Sequence, residues 1–199
     1  MKGLLLKDAL MLFRQSRLLA LMLALALFSG TEPLVLRSIS VLYAALLPIN
    51  ALAYDERSGW DRVVAVLPYS RAAVVGEKYL LAAVGVLGTT LLSLLSEWVV
   101  GGFALPMESI AAALMYACIV LLLTAISLPP MFRFGVEKGR LFYFVFVGAF
   151  VALIFVFGEW LSALLAGDAA LPVLLLAAAV VLPISAALSA AGYGKRCFS

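Results

Sequence analysis

The sequence predicts an all-α integral membrane protein with six transmembrane helices, and three observations carry that reading. First, 66% of the 199 residues are apolar and only 13% charged, for a mean hydropathy of +1.17. A soluble domain of this size has too little interior for so much apolar surface, so most of the chain must face lipid. Second, apolar runs of roughly 20 residues, enough to cross about 30 Å of hydrocarbon, recur along the chain. Third, the basic residues gather in alternate connections between those runs.

Residues 1–17 have a helical period. Leu5, Leu6, Ala9, Leu10, Leu12 and Phe13 share one face, and Lys7, Asp8, Arg14 and Gln15 the other. This predicts an amphipathic helix in the cytoplasmic interface. A plain cytoplasmic extension of the first span is the alternative. Spans follow at 16–31, 36–54, 79–103, 109–131, 141–160 and 171–193. The first is short, because its uncharged run from Leu18 ends near Glu32.

Charge decides in favour of that first span. Lys2, Lys7, Arg14 and Arg17 precede it, and Arg57, Arg62, Arg71 and Lys78 lie in the second connection. Arg133, Lys138 and Arg140 lie in the fourth, and Lys195 and Arg196 at the C-terminus. The other connections carry Glu32, Glu108, Glu159 and Asp168 without a lysine or arginine. All of the 14 basic residues except Arg37 thus fall on one side, which the positive-inside rule makes cytoplasmic. Six spans with both termini inside satisfy that pattern, in a single membrane domain over residues 1–199. A cleaved signal is disfavoured, since the best small-residue site lies within the apolar run and five more spans follow.

Composition also narrows the chemistry. With no histidine, Ser-His and Cys-His catalysis and His-based metal sites are excluded. Cys118 and Cys197 form no paired motif, and Cys118, mid-span, reads as a small hydrophobe. No G-x-x-x-x-G-K-[ST] occurs, so no phosphate-cradling loop is expected in this chain. Every aspartate falls in a predicted loop or terminus, which argues against an intramembrane aspartyl protease. No metal constellation stands out. The formal charge of +3 fits loops at an anionic leaflet better than nucleic-acid binding.

One stretch breaks the apolar pattern: YDERSGWDRVVAVLPYSR, Tyr54 to Arg71. Ser58 and Asp61 read as a capping box, with Gly59 permitting the turn. Trp60 to Leu67 suits a helix of about two turns ending before Pro68. Trp60, Val63, Val64 and Leu67 form an apolar stripe, and Ser70 is placed to cap the helix that continues into the third span. So short a helix is unstable alone and needs a surface. Headgroups would suit Trp60. A protein groove suits the balance of Asp55, Glu56, Asp61 and Glu77 against Arg57, Arg62, Arg71 and Lys78, because lipid surfaces select polybasic patches.

Two regions of the chain resemble signatures of compact six-span ABC-2-type exporter permeases of bacteria, including exporters of phenol-soluble-modulin-like amphipathic peptides. The first comprises Tyr54, Asp55, Glu56, Gly59, Trp60, Leu67, Pro68, Ser70, Arg71, Lys78 and Tyr79. The second is Leu128 and Pro129 ending span four, then Phe132, Phe134, Gly135, Glu137, Lys138, Gly139 and Arg140, with Val136 at a variable place. The resemblance implies that residues 55–78 form a coupling segment docking a separate ABC ATPase subunit. Asp55, Glu56, Ser58, Gly59, Trp60, Asp61, Val64, Leu67, Pro68, Ser70 and Arg71 would carry it. It further implies ATP and Mg in that partner, no ATPase site here, and a second permease chain, identical or not.

Within the spans, Arg37 and Glu97 are each near an outer end, where they either pair as an outer-gate clip or snorkel to headgroups. Span five holds half of the 12 phenylalanines, which suits lipid contact or a greasy translocation wall. Pro48 and Pro183 are candidate kinks, and Gly85 and Gly88 candidate close approaches. The expected function is a multi-pass plasma-membrane subunit of an ATP-driven exporter for amphipathic or hydrophobic cargo, peptides among the candidates. The alternative is a non-transporting membrane anchor that docks a cytoplasmic partner. An intramembrane enzyme has least support.

Overall fold

In the computed structural model, residues 3, 4, 6–8, 10, 33–67, 69–100, 106–165, 167 and 169–194 are described. Among them are no strands, only helices and short connections. The helices are α1 (Pro33–Ser58), α2 (Trp60–Val66), α3 (Arg71–Val100), α4 (Met107–Phe134), α5 (Val136–Leu165) and α6 (Ala170–Tyr193). The described residues among 3–10 are helical as well. Of these helices, α3, α4 and α6 are long and apolar enough to cross a membrane. Helices α1 and α5 cover the predicted second and fifth spans. The predicted first span, 16–31, lies outside the described residues.

Packing follows membrane rather than soluble logic. Small residues face inward: Ala44, Ala45, Ala51, Ala82, Ala113, Ala117, Ala125 and Ala178 are buried. Large apolar residues face outward, among them Leu91 and Leu95 of α3, Phe144 and Phe155 of α5, and Leu176 and Leu188 of α6. Lipid offers no hydrophobic penalty for such exposure, whereas close helix approach needs small side chains. At Gly85 an added Cβ would meet Leu47 Cδ1 at 2.9 Å and Ala44 O at 3.6 Å, so α1 and α3 approach closely there. Gly88 has nothing within 4 Å of such a Cβ among the described residues, which make no close approach there.

The largest apolar core lies at the end of the bundle where α1, α2, α3, α4 and α6 meet. It joins Ile49, Leu52, Val64, Val75, Leu128, Met131, Phe132 and Tyr193, with Leu4 from the N-terminal helix. Leu128 and Pro129, placed at the end of the fourth span, do not end its helix. α4 continues through Pro129 and Pro130 to Phe134. Proline at 129 removes the N–H that would bond the carbonyl of Ala125. Ser185 of α6 donates its hydroxyl to that same carbonyl, so the helix survives the proline. With the Ser185 proton committed, Tyr79 donates to Ser185 at 2.6 Å and accepts from Ser189 at 2.8 Å. This hydroxyl chain fastens α3, α6 and α4 together.

Candidate functional site

The charged stretch folds back onto the bundle. α1 extends to Ser58, whose hydroxyl donates to the Asp55 carbonyl at 3.2 Å. The predicted capping box is therefore not formed: Ser58 is still inside α1, and Gly59 is the N-cap of α2 with no side-chain cap bond. Gly59 has φ 67, a left-handed turn that favours glycine and redirects the chain within one residue. α2 ends where Leu67 becomes extended, at φ −84 and ψ 150. Pro68 and the side chain of Asp61 lie outside the described residues. Ser70 Oγ accepts from Ala73 N–H at 3.2 Å, the capping bond expected at the start of α3. Arg71 lies against the last turn of α6, its Nη1 beside Gly194.

The predicted apolar stripe is divided. Val64 is buried and Trp60 packs against the same core. Val63 and Leu67 remain exposed, joined by Val66 at 87%. Val66 lies on the opposite side of the helix from Val64, and Leu67 has left the helical spiral. α2 therefore has an inner side attached to this chain and an uncovered apolar outer side.

Beneath α2 lies a cluster that sequence reading did not assemble. Lys78 Nζ donates to Asp55 Oδ2 at 2.7 Å and also to Asp8 Oδ2. Lys7 Nζ donates to Asp55 Oδ1, lies 2.9 Å from Asp8 Oδ1, and sits 4.6 Å from the centre of the Trp60 ring. Asp8 is 0% exposed, Lys78 1% and Asp55 5%. Glu77, also 1% exposed, borders them. Burial alone pushes the Asp8 carboxyl up, but the Lys78 ammonium together with the hydrogen bonds to the group outweighs it and holds it below the usual aspartate range. The N-terminal helix, α1 and α3 are thus joined by ion pairs, those of Lys78 shielded from solvent and those of Lys7 at its edge.

This arrangement reverses two expectations. The Lys7–Asp8 face of the N-terminal helix turns toward the bundle, while Leu6 and Leu10 face outward. The outward leucines suit a lipid interface, and the charges find partners inside. Asp8 and Asp55, expected in a terminus or loop, are both helical and buried. Lys78 bridges them, so they do not stand as an open catalytic pair. A signal for the cluster was present in Glu77 and Lys78, which immediately precede Tyr79 at the edge of an apolar span. Without the fold, nothing linked them to residues some seventy positions earlier.

The second signature forms the corner between α4 and α5. Gly135 has φ 90 and ψ 166, a conformation open mainly to glycine. Glu56 Oε2 accepts from the Val136 N–H at 2.7 Å, so a carboxylate of the first signature caps the helix opened by the second. At Gly139 an added Cβ would lie 2.8 Å from Met131 Cα, so α5 can fold back on α4 only with glycine there. Phe134 stacks on Phe142 at 5.8 Å, while Glu137 and Lys138 point outward and Arg140 is half-buried. Pro129 lines a shallow groove with Arg133, Leu188 and Gly192. Far from this end, Ser109 donates to Glu97 Oε1 at 2.5 Å. The side chain of Arg37 lies outside the described residues.

The two sequence signatures, separate along the chain, thus meet at one end of an all-helical bundle. A family model described as ABC-2 family transporter protein matches residues 3–193. The chain belongs to the ABC-2 transporter family. The curated proteins and the solved structures gave no match. Membership makes this ABC-2 protein a membrane subunit of an ABC transporter, a role that implies association with an ABC ATPase. The ABC-2 match spans both signatures and the buried cluster between them.

Proposed function

We propose that this ABC-2 protein is the permease subunit of an ATP-driven exporter and that α2 is its coupling helix. The observation that carries the reading is the two-sided character of α2. Val64 and Trp60 fix it to the bundle, while Val63, Val66 and Leu67 leave an apolar surface outside any predicted span. Motion imposed on that outer surface reaches Asp55 at the end of α1 and Lys78 near the start of α3 through the ion pairs below. The chain crosses the plasma membrane six times with both termini in the cytoplasm, and two permease chains enclose the path. ATP and Mg act in the partner ATPase. The cargo is amphipathic or hydrophobic, peptides included, because the spans present few polar groups. Arg37 and Glu97 serve as an outer-gate pair.

The test separates docking from folding. Val63→Asp with Val66→Asp is expected to cut co-purification of the cognate ATPase by more than about tenfold, as removing a central apolar contact does at other interfaces. The permease should keep its thermal midpoint, because both side chains are exposed. Full ATPase retention and undiminished ATP-driven export in the double aspartate variant would refute the coupling assignment.

A further inference from the structure

The buried cluster leaves one electrostatic question open. Among the described residues its charged groups are Lys7 and Asp8 on the N-terminal helix, Asp55 on α1, and Glu77 and Lys78 on α3. If all are ionised, three carboxylates face two ammonium groups. Burying an uncompensated charge is costly, and a group so placed tends to neutralise instead.

The hydrogen bonds show where the neutralisation falls. Both oxygens of Asp55 accept from lysines, and so does Asp8 Oδ2. Asp8 Oδ1 and Glu77 Oε1 are the two buried side-chain oxygens that accept no hydrogen bond from any described group. Lys7 Nζ is 2.9 Å from Asp8 Oδ1 but off the hydrogen-bonding direction, so it does not fill that place. Glu77 immediately precedes Lys78, whose ammonium holds Asp8, so the two carboxyls belong to the same buried cluster. One hydrogen shared between these two buried acids would relieve both orphan acceptors.

We propose that Glu77 carries a bound proton at neutral pH and donates it to Asp8, making the joint of the N-terminal helix, α1 and α3 a proton-binding site. The proton comes from solvent on folding, and no bond other than O–H is made. It leaves Lys7 and Lys78 balanced by Asp8 and Asp55, and it supplies the missing donor. Asp8 rather than Glu77 keeps the negative charge, because Asp8 already accepts from Lys78. The site does not depend on the direction of transport or on the ATPase.

The sign of the pH effect follows. A glutamate neutral in the fold and ionised when unfolded makes folding take up a proton, so stability falls as pH rises. The full chain, purified in detergent, is melted between about pH 5 and pH 8, as wild type and as Glu77→Gln. The wild-type midpoint is expected to fall by roughly 5 °C or more across that range. The glutamine variant, whose amide supplies a permanent donor, should lack that fall. Infrared spectra at neutral pH should show a protonated carboxyl band in wild type that is missing from Glu77→Gln. Parallel melting curves, or no such band in wild type, would overturn the proposal. Stabilisation by sodium or potassium ions at fixed pH, in place of the pH slope, would assign the site to a metal cation instead. Failure of Glu77→Gln to fold would also count against it, because glutamine preserves the donor.

Discussion

Replacing Lys78 with methionine is expected to lower the thermal midpoint of the solubilised chain by roughly 10 °C and to deplete it from the membrane fraction. The methionine keeps an apolar stem of similar length but removes the cation that bridges Asp8 and Asp55. Removing one partner of a buried ion pair costs about 3–5 kcal/mol, because the other charges stay behind uncompensated. For chains of this size each kcal/mol moves the midpoint by about 2–4 °C. Rescue provides the diagnostic. Adding Asp8→Asn to Lys78→Met removes the one stranded charge, leaves Lys7 paired with Asp55 and should recover most of the loss. A Lys78→Met protein that melts like wild type would mean that these groups are not shielded from solvent.

Gly139→Ala should be the most damaging single methyl group in the bundle. Its Cβ would lie 2.8 Å from Met131 Cα and closer still to Met131 Cγ. The γ carbon can swing away, but the α carbon moves only with α4 itself. Overpacking of this kind costs about 1–3 kcal/mol, here at the upper end because backbone must shift. Gly88→Ala is the control: nothing lies within 4 Å of its Cβ, and alanine is the better helix former. The expected result is a midpoint lowered for Gly139→Ala and unchanged or raised for Gly88→Ala. Equal midpoints would show that α5 does not fold back against α4 at Met131.

Much of the architecture was legible because hydrophobic runs and charge segregation are one-dimensional signals. The positions of α3, α4 and α6, the break at Gly59 and the Ser70 cap all follow from local chemistry. Three features were not legible, for a common reason. Ser58 reads as a helix cap from its neighbours, yet α1 runs through it once Asp55 is anchored by lysines from two other helices. Pro129 by its own chemistry disfavours a continuing helix, yet Ser185 of α6 supplies a bond to the carbonyl that proline leaves open. The Lys7–Asp8 face reads as the side turned from apolar contacts, yet Lys78 and Asp55 provide charged partners for it. In each case the deciding group lies far away in sequence. Local propensity is outweighed wherever tertiary partners satisfy the polar atoms.

The bond between Glu56 and the Val136 N–H also governs how variants of this protein can be built by recombination. A carboxylate contributed by one patch completes the first turn of a helix that begins in the other. The donor is a backbone N–H that any residue but proline supplies at position 136, so only an exchange that removes the acid at position 56 leaves that helix start without its acceptor. Chimeras that keep an acid at position 56 should fold whichever sequence supplies the second patch, whereas those that lose it should inherit a frayed corner whatever cargo the donor sequence serves.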